Sequence, residues 1–272
     1  MTSPPLEPLV EGLLVGRDGA LLELVIDRPT AKGSLNDVVV AGLIAQLEHA
    51  STDQSLRAVL LRSSGADFCS GFDIVGRNAG AAERPRTGSI QRRLPTQAHR
   101  LVPLVLGLQL PVVCAVRGWA VGIGAQLAAA SDHAVVADDA RFWWPFVDRG
   151  FTPDSASTWL VPRLVGPVRA RELLLRGRRL DGATAVEWGL VAEAAPPEQV
   201  NALARERAQE LATRATVALG LTKALLAAAP DNTLERHLEA EAMAMELSSR
   251  SPDFKEGLRA FVERRPPDFS GQ

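Results

Sequence analysis

Apolar and polar positions fall into blocks of two kinds along this chain. Short runs rich in β-formers recur: "LLELVID" at 21–27, "RAVLLRSSG" at 57–65, "VVCAVRG" at 112–118, "HAVVAD" at 133–138 and "GLVAEAA" at 189–195. The 57–65 and 112–118 runs are almost continuously apolar, the pattern of strands covered on both faces. Between them lie stretches with helical spacing. In "DVVVAGLIAQLEHAS" (37–51), Val40, Ile44 and Leu47 fall on one face, and "LVPLVLGLQLP" (101–111) reads as a helix stopped by Pro111. Strands alternating with helices predict an α/β architecture.

From about residue 197 the strands cease. "PEQVNALARERAQELATRA", "TLERHLEAEAMAMELSSR" and "SPDFKEGLRAFVERR" read as three helices. Asn232 or Thr233 is placed to cap the second, and Ser251 with Pro252 at the first helical position suits the third. Helices with one apolar face pack on their own core or on another subunit. The expected division is a core over 1–196 and a helical region over 197–272. Residues 76–93, rich in Gly, Ala and Arg, read as a mobile loop leading into the helix before Pro111.

Composition narrows the function classes. The 272 residues suffice for one large core, and a net charge of −2 gives neither a basic footprint for nucleic acid nor an acidic tail. Cys69 and Cys114 are too few for a disulfide framework and read as free thiols in a reducing compartment. The four histidines have no second ligand at helical spacing, so no metal site is expected. No uncharged apolar run approaches the roughly 20 residues that cross a bilayer, and the start shows no leader pattern. A cytoplasmic location is expected.

Two stretches carry the candidate chemistry. "ADFCSGFDIVG" (66–76) follows the 57–63 strand, and "GWAVGIGAQL" (118–127) follows the 112–117 strand. A strand, a glycine turn and a helix start leave main-chain N–H groups pointing outward. If the two strands are neighbours, the turns face a common space. Two N–H donors there, aided by the positive end of the 125–130 helix, hold an oxygen that gains negative charge. The alternative is that Gly122 and Gly124 serve only tight packing. The order G-x-x-x-G-x-G is not the dinucleotide fingerprint, and no G-K-[ST] occurs.

These residues and four further segments resemble the enoyl-CoA hydratase/isomerase, or crotonase, family. "VIDRPTAKGSLN" (25–36) looks like the family's opening strand and turn, "FCSGFDI" (68–74) like its first oxyanion turn, and 111–142 like its signature block. "PDSASTWLVPRLVG" (153–166), "ATAVEWGLV" (183–191) and "GLRAFVERR" (257–265) also match, so the resemblance spans about residues 20 to 268. It implies a crotonase-like spiral of ββα units and a C-terminal helical region that builds trimers, often paired into hexamers. It implies an acyl-CoA substrate, with CoA entering only as part of that substrate and no other cofactor. The oxyanion donors would be the N–H groups of Phe72, after Gly71, and Ile123, between Gly122 and Gly124. The Ser70 carbonyl would lie near the CoA adenine. Arg28 would approach the CoA phosphates, and Phe261 and Arg264 would serve the nucleotide end from a neighbouring subunit. For Arg28 and Arg264 an ordinary solvated charge is the alternative.

The chain departs from the hydratases at both of their glutamates, which become Gln126 and Phe146. Neither exchanges a proton near neutral pH, though Gln126 can still orient a water. Asp154 falls where several isomerases and a dehalogenase of the family carry their working aspartate. It would sit in an apolar wall of Trp143, Trp144, Phe72, Phe146 and Trp119. Asp154 can instead cap a helix starting at Ser155. Asp148 is a weaker candidate acid in the same stretch. The expectation is isomerase-type proton transfer. A non-catalytic acyl-CoA-binding protein, or an aspartate nucleophile in hydrolysis or dehalogenation, remains open.

Overall fold

The computed structural model describes residues 5–74, 76 and 86–272. It begins with an antiparallel meander of β1 (Leu6–Val10), β2 (Leu13–Asp18) and β3 (Leu21–Ile26). β3 is buried along its whole length because its other edge carries a parallel neighbour, β4 (Ala58–Ser63). Helix α1 (Asp37–Ala50) links the two; the Asn36 side chain caps it by accepting from the Val39 N–H at 2.9 Å. Helices α2 (Ser89–Arg93) and α3 (Ala98–Gly107) precede β5 (Val112–Val116). Thus part of the expected loop is helical, and residues 77–85 of it lie outside the described residues. α3 starts and ends earlier than the 101–111 expectation, tolerating Pro103 and stopping at Gly107.

From β5 the chain winds as a spiral. Each turn gives one strand to a large sheet and one to a small sheet. β5 is followed by β6 (Trp119–Val121) and α4 (Ile123–Ala130), then β7 (His133–Ala137) by β8 (Arg141–Trp143). After α5 (Ser157–Leu174), the short β9 (Leu180–Asp181) closes the small sheet, and α6 (Gly182–Glu187) leads to β10 (Glu193–Ala195). The large sheet runs β1-β2-β3-β4-β5-β7-β10 and the small one β6-β8-β9. Isolated bridges Cys69↔Ala120 and Leu35↔Phe72 extend the small layer, so β4 and β5 deliver their following turns side by side.

Four helices, not three, complete the chain: α7 (Val200–Ala212), α8 (Thr216–Ala228), α9 (Leu234–Ser248) and α10 (Pro252–Glu263). Thr233 and Ser251 cap the last two with their side chains. α7 packs on β3, β4, β5 and β7, although the 196/197 division groups it with the C-terminal helices. Its Arg205 meets the fully buried Glu23, which Arg62 also grips at 2.5 Å. α9 buries no residue, and Leu234, Met243, Phe261 and Val262 on α9 and α10 are each more than two-thirds exposed.

Two ionic clusters tie these helices down. Lys223 of α8 donates to Asp132 at 2.6 Å and to the Val105 carbonyl at 2.8 Å, and Asp132 accepts from the Val112 N–H at 2.7 Å. Burial pushes the Asp132 carboxyl up against the pull of Lys223, and burial pushes Lys223 down. Removing one partner strands the other charge. Lys223→Met is expected to cost about 3 kcal/mol, measured by urea unfolding, and a second change Asp132→Asn to restore part of it.

The second cluster fixes the tail. Arg265, the Asp268 N–H and Arg259 hold Glu256 well below the usual carboxylate range. A depressed folded-state pKa stabilises above the unfolded value of about 4.3 and is lost as pH falls through the folded one. The urea midpoint is therefore expected to fall between about pH 4.5 and 2. Glu256→Gln is expected to lower the midpoint at neutral pH and flatten that part of the decline.

Candidate active site

The two glycine turns meet, and main-chain geometry shows how their amides point. In a trans peptide the C=O and the next N–H face opposite ways. The Gly71 carbonyl accepts from the Leu35 N–H at 2.9 Å. The Phe72 N–H is therefore turned away from Leu35, toward the side where β6 lies. Gly71 reaches this orientation with φ of +100°, which favours glycine, and a Cβ there would stand 3.1 Å from the Val121 carbonyl oxygen. The Gly122 carbonyl accepts the first bond of α4 from Gln126 at 3.1 Å, so the Ile123 N–H points out of the helix start. Gly122 has φ of +54° and its own N–H donates to the Trp143 carbonyl at 2.9 Å.

Phe72 and Ile123 both line one cavity of about 460 Å³, with Ser70, Gly71 and Gly122 beside them. Gly124 does not line it. A Cβ on Gly124 would lie 2.4 Å from the Cys69 carbonyl oxygen, so this glycine lets α4 press on the 66–72 turn, the packing alternative. The Cys69 thiol packed there is pushed up to about 12 by burial.

The opposite wall corrects several expectations. Phe146 lines the cavity, edge-on to Phe151 at 5.5 Å. Trp119, Trp143 and Trp144 do not. Trp119 and Trp143 pack against each other, tilted by 53° with ring centroids 6.1 Å apart, and take the guanidiniums of Arg141, Arg149 and Arg179 on their rings. Trp144 is fully buried beside Phe142. The apolar wall is instead Phe72, Phe146 and Phe151 with Ile74, Ile90 and Leu94.

Gln126 is not placed to orient a water. It is fully buried, its Oε1 accepts from the Trp144 indole at 3.3 Å, and its Nε2 donates to the Ser155 carbonyl at 3.2 Å. It braces the segment that carries Asp154. Arg28 is likewise engaged: it donates to the Ser34 carbonyl at 2.8 Å and to Asp73 at 3.1 Å, joining the 28–34 turn to the 70–73 turn. Phe261, 83% exposed, and Arg264, in a left-handed cap, sit at the end of α10 and do not line this cavity.

Asp154 lines the cavity, whereas Asp148 does not. Asp154 does not cap a helix from Ser155. Ser155 and Ala156 both take positive φ, +50° and +63°, and α5 starts only at Ser157 without a side-chain cap. Two consecutive left-handed non-glycine residues carry backbone strain of about 1–3 kcal/mol each. The strain is held by Gln126 on one side and by Ser157, which donates its N–H and hydroxyl to the Asp154 carbonyl. The carboxylate stays directed to other groups. It accepts from the Ser155 hydroxyl at 3.1 Å, and its Oδ2 stands 3.6 Å from His99 Nε2.

No sequence motif marks His99. It lies on α3 beside the cavity-lining Ala98, and its buried Nε2 has no hydrogen-bond partner. Among the described residues, no cluster of three His, Cys, Asp or Glu is placed to hold a metal. Among the described residues no single helix is long and apolar enough to cross a membrane.

Comparison with known proteins bears on this arrangement. The family model for enoyl-CoA hydratase/isomerase matches residues 16–272. The 1,2-epoxyphenylacetyl-CoA isomerase of Escherichia coli K12 is 35% identical over 266 residues, covering 97% of this chain and 100% of that protein. The 2,3-dehydroadipyl-CoA hydratase of the same organism is 29% identical over 260 residues, covering 96% and 99%. The crystal structure of an enoyl-CoA hydratase from Bacillus anthracis superposes with a TM-score of 0.89 at 27% identity, covering 96% of this chain and 100% of that one. The winding into two sheets, the paired glycine turns and these likenesses agree, and the chain belongs to the enoyl-CoA hydratase/isomerase family, with the crotonase fold.

Proposed function

We propose that this chain binds an acyl-CoA thioester in the cavity and moves a proton along the acyl chain, an isomerase-type step. The Phe72 and Ile123 N–H groups hold the thioester oxygen as it gains enolate charge. Asp154 takes a proton from one carbon and returns it to another. His99 positions the Asp154 carboxylate, and Gln126 braces the turn behind it. The observation that carries this reading is the charge of the cavity wall. Asp154 is its one carboxylate among the described residues, and Phe146 replaces the second acid that two-glutamate hydration uses. The isomerase name of one Escherichia coli relative supports it.

The test is incubation with β,γ- and α,β-unsaturated acyl-CoAs in D2O. Double-bond migration with deuterium gained on carbon is expected. A 3-hydroxyacyl product without migration contradicts it. The His99–Asp154 contact also suits a carboxylate nucleophile, with water then attacking the ester. An acyl or aryl ester on Asp154, trapped in a single turnover, would favour that second reading.

The exposed apolar residues of α9 and α10 support assembly into a trimer or hexamer through the 197–272 region. In such an assembly Phe261 and Arg264 serve a neighbour's CoA nucleotide, with Ser70 near the adenine. CoA enters only as part of the substrate, and the setting is the cytoplasm. Light scattering that returns a monomer at micromolar concentration contradicts the assembly.

A further inference from the structure

Three charged side chains face the cavity: Asp154, Arg149 and Arg93. Two have company. Asp154 stands 3.6 Å from His99, and the Arg149 guanidinium lies over the Trp143 ring at 5.6 Å. Arg93 has none. Among the described residues no carboxylate comes within 4.0 Å of it, its Nε is buried without a hydrogen-bond partner, and its cavity neighbours are Ile90, Leu94 and Ala98. Arg93 as a whole is half-buried, but its Nε is shut off from water against apolar walls, and an N–H there stays unsatisfied unless an acceptor meets it. The same short stretch carries other buried polar atoms without partners, Ser89 Oγ and Gln97 Oε1. Of these three residues only Arg93 lines the cavity, so its Nε–H is the donor there that an apolar acyl chain leaves without an acceptor.

We propose that Arg93 makes this site selective for an acyl group that carries its own carboxylate. The inference rests on the acyl-CoA reading above and names the acyl class. Arginine suits the task because its planar fork takes both oxygens of a carboxylate. The thioester oxygen lies at the Phe72 and Ile123 end, and the free carboxylate meets Arg93 on the α2 wall of the same cavity. The CoA phosphates are the other anions on such a ligand, but they belong to the nucleotide end rather than to this acyl cavity.

The test is calorimetric binding of saturated thioesters, which have no double bond to move. Glutaryl-, adipyl- and pimelyl-CoA are each compared with an uncharged ester in which an isopropyl group replaces the carboxylate. At one or more lengths the carboxylate ester is expected to bind about ten- to a hundredfold more tightly, as a charge-assisted hydrogen bond allows. That preference is expected to vanish in Arg93→Met and to persist in part in Arg93→Lys. Equal binding of the charged and uncharged esters by the unaltered protein, which needs no variant, overturns the proposal. So does a preference that survives in Arg93→Met. Weakening of free CoA by Arg93→Met to the same extent assigns Arg93 to the phosphates and also overturns it. Binding of no CoA ester at all would instead sink the acyl-CoA reading itself.

Discussion

Ile123→Pro is expected to lower kcat by about 10²–10³, because it deletes one N–H at a position where the backbone tolerates proline. Ile123 is the first residue of α4, where the N–H has no intrahelical acceptor and proline is well tolerated. The preceding Gly122 already holds a backbone that suits glycine, with φ of +54° and ψ of −117°. The helix bond from Gln126 to the Gly122 carbonyl is untouched. What disappears is one of the two donors proposed for the enolate oxygen, and such a donor is worth about 2.7–4 kcal/mol at the transition state. Proline also removes buried side-chain volume, since Ile123 is 3% exposed. Ile123→Ala controls for that loss: it keeps the N–H and should retain activity within about tenfold while costing about 2–4 kcal/mol of stability. Steady-state kinetics with thermal unfolding of both variants separates the two effects. Equal kcat values for the two would deny the amide its role.

Asp154→Asn is expected to lower kcat by about 10²–10⁴ while acyl-CoA affinity changes little. Asparagine matches the carboxylate in shape and can still accept from the Ser155 hydroxyl, so the strained 155–156 turn should persist. It cannot take up and return a proton. Rapid-quench kinetics and equilibrium binding on the same preparation check this. A variant that turns over normally would move the proton transfer to another group.

The sequence pattern read the large sheet well for a physical reason. Parallel strands buried on both faces, such as β4 and β5, must be runs of apolar residues, and such runs stand out. The β1–β2 hairpin is half exposed and lacks that signature. Helix α8 is hard to read from sequence because "TVALGLTKALLAA" is apolar on most sides and buries only Thr216 and Gly220, so no single face announces it. At the site, residue type told which turns matter but not which way each side chain points. Gly122 and Gly124 look alike in sequence, yet one lines the cavity and the other faces Cys69. Gln126 stands at a catalytic position of the family pattern and is turned to Trp144 and Ser155. His99 meets Asp154 only because α3 and the 154–156 turn fold against the same cavity. No local spacing carries that contact.

The central claim is that two main-chain amides share one thioester oxygen. It is tested most directly by a crystal structure of the protein with a saturated acyl-CoA bound. The oxygen is predicted to lie about 2.7–3.2 Å from both the Phe72 and the Ile123 nitrogens. An oxygen bonded to neither, or nitrogens too far apart to reach a common atom, would contradict the account.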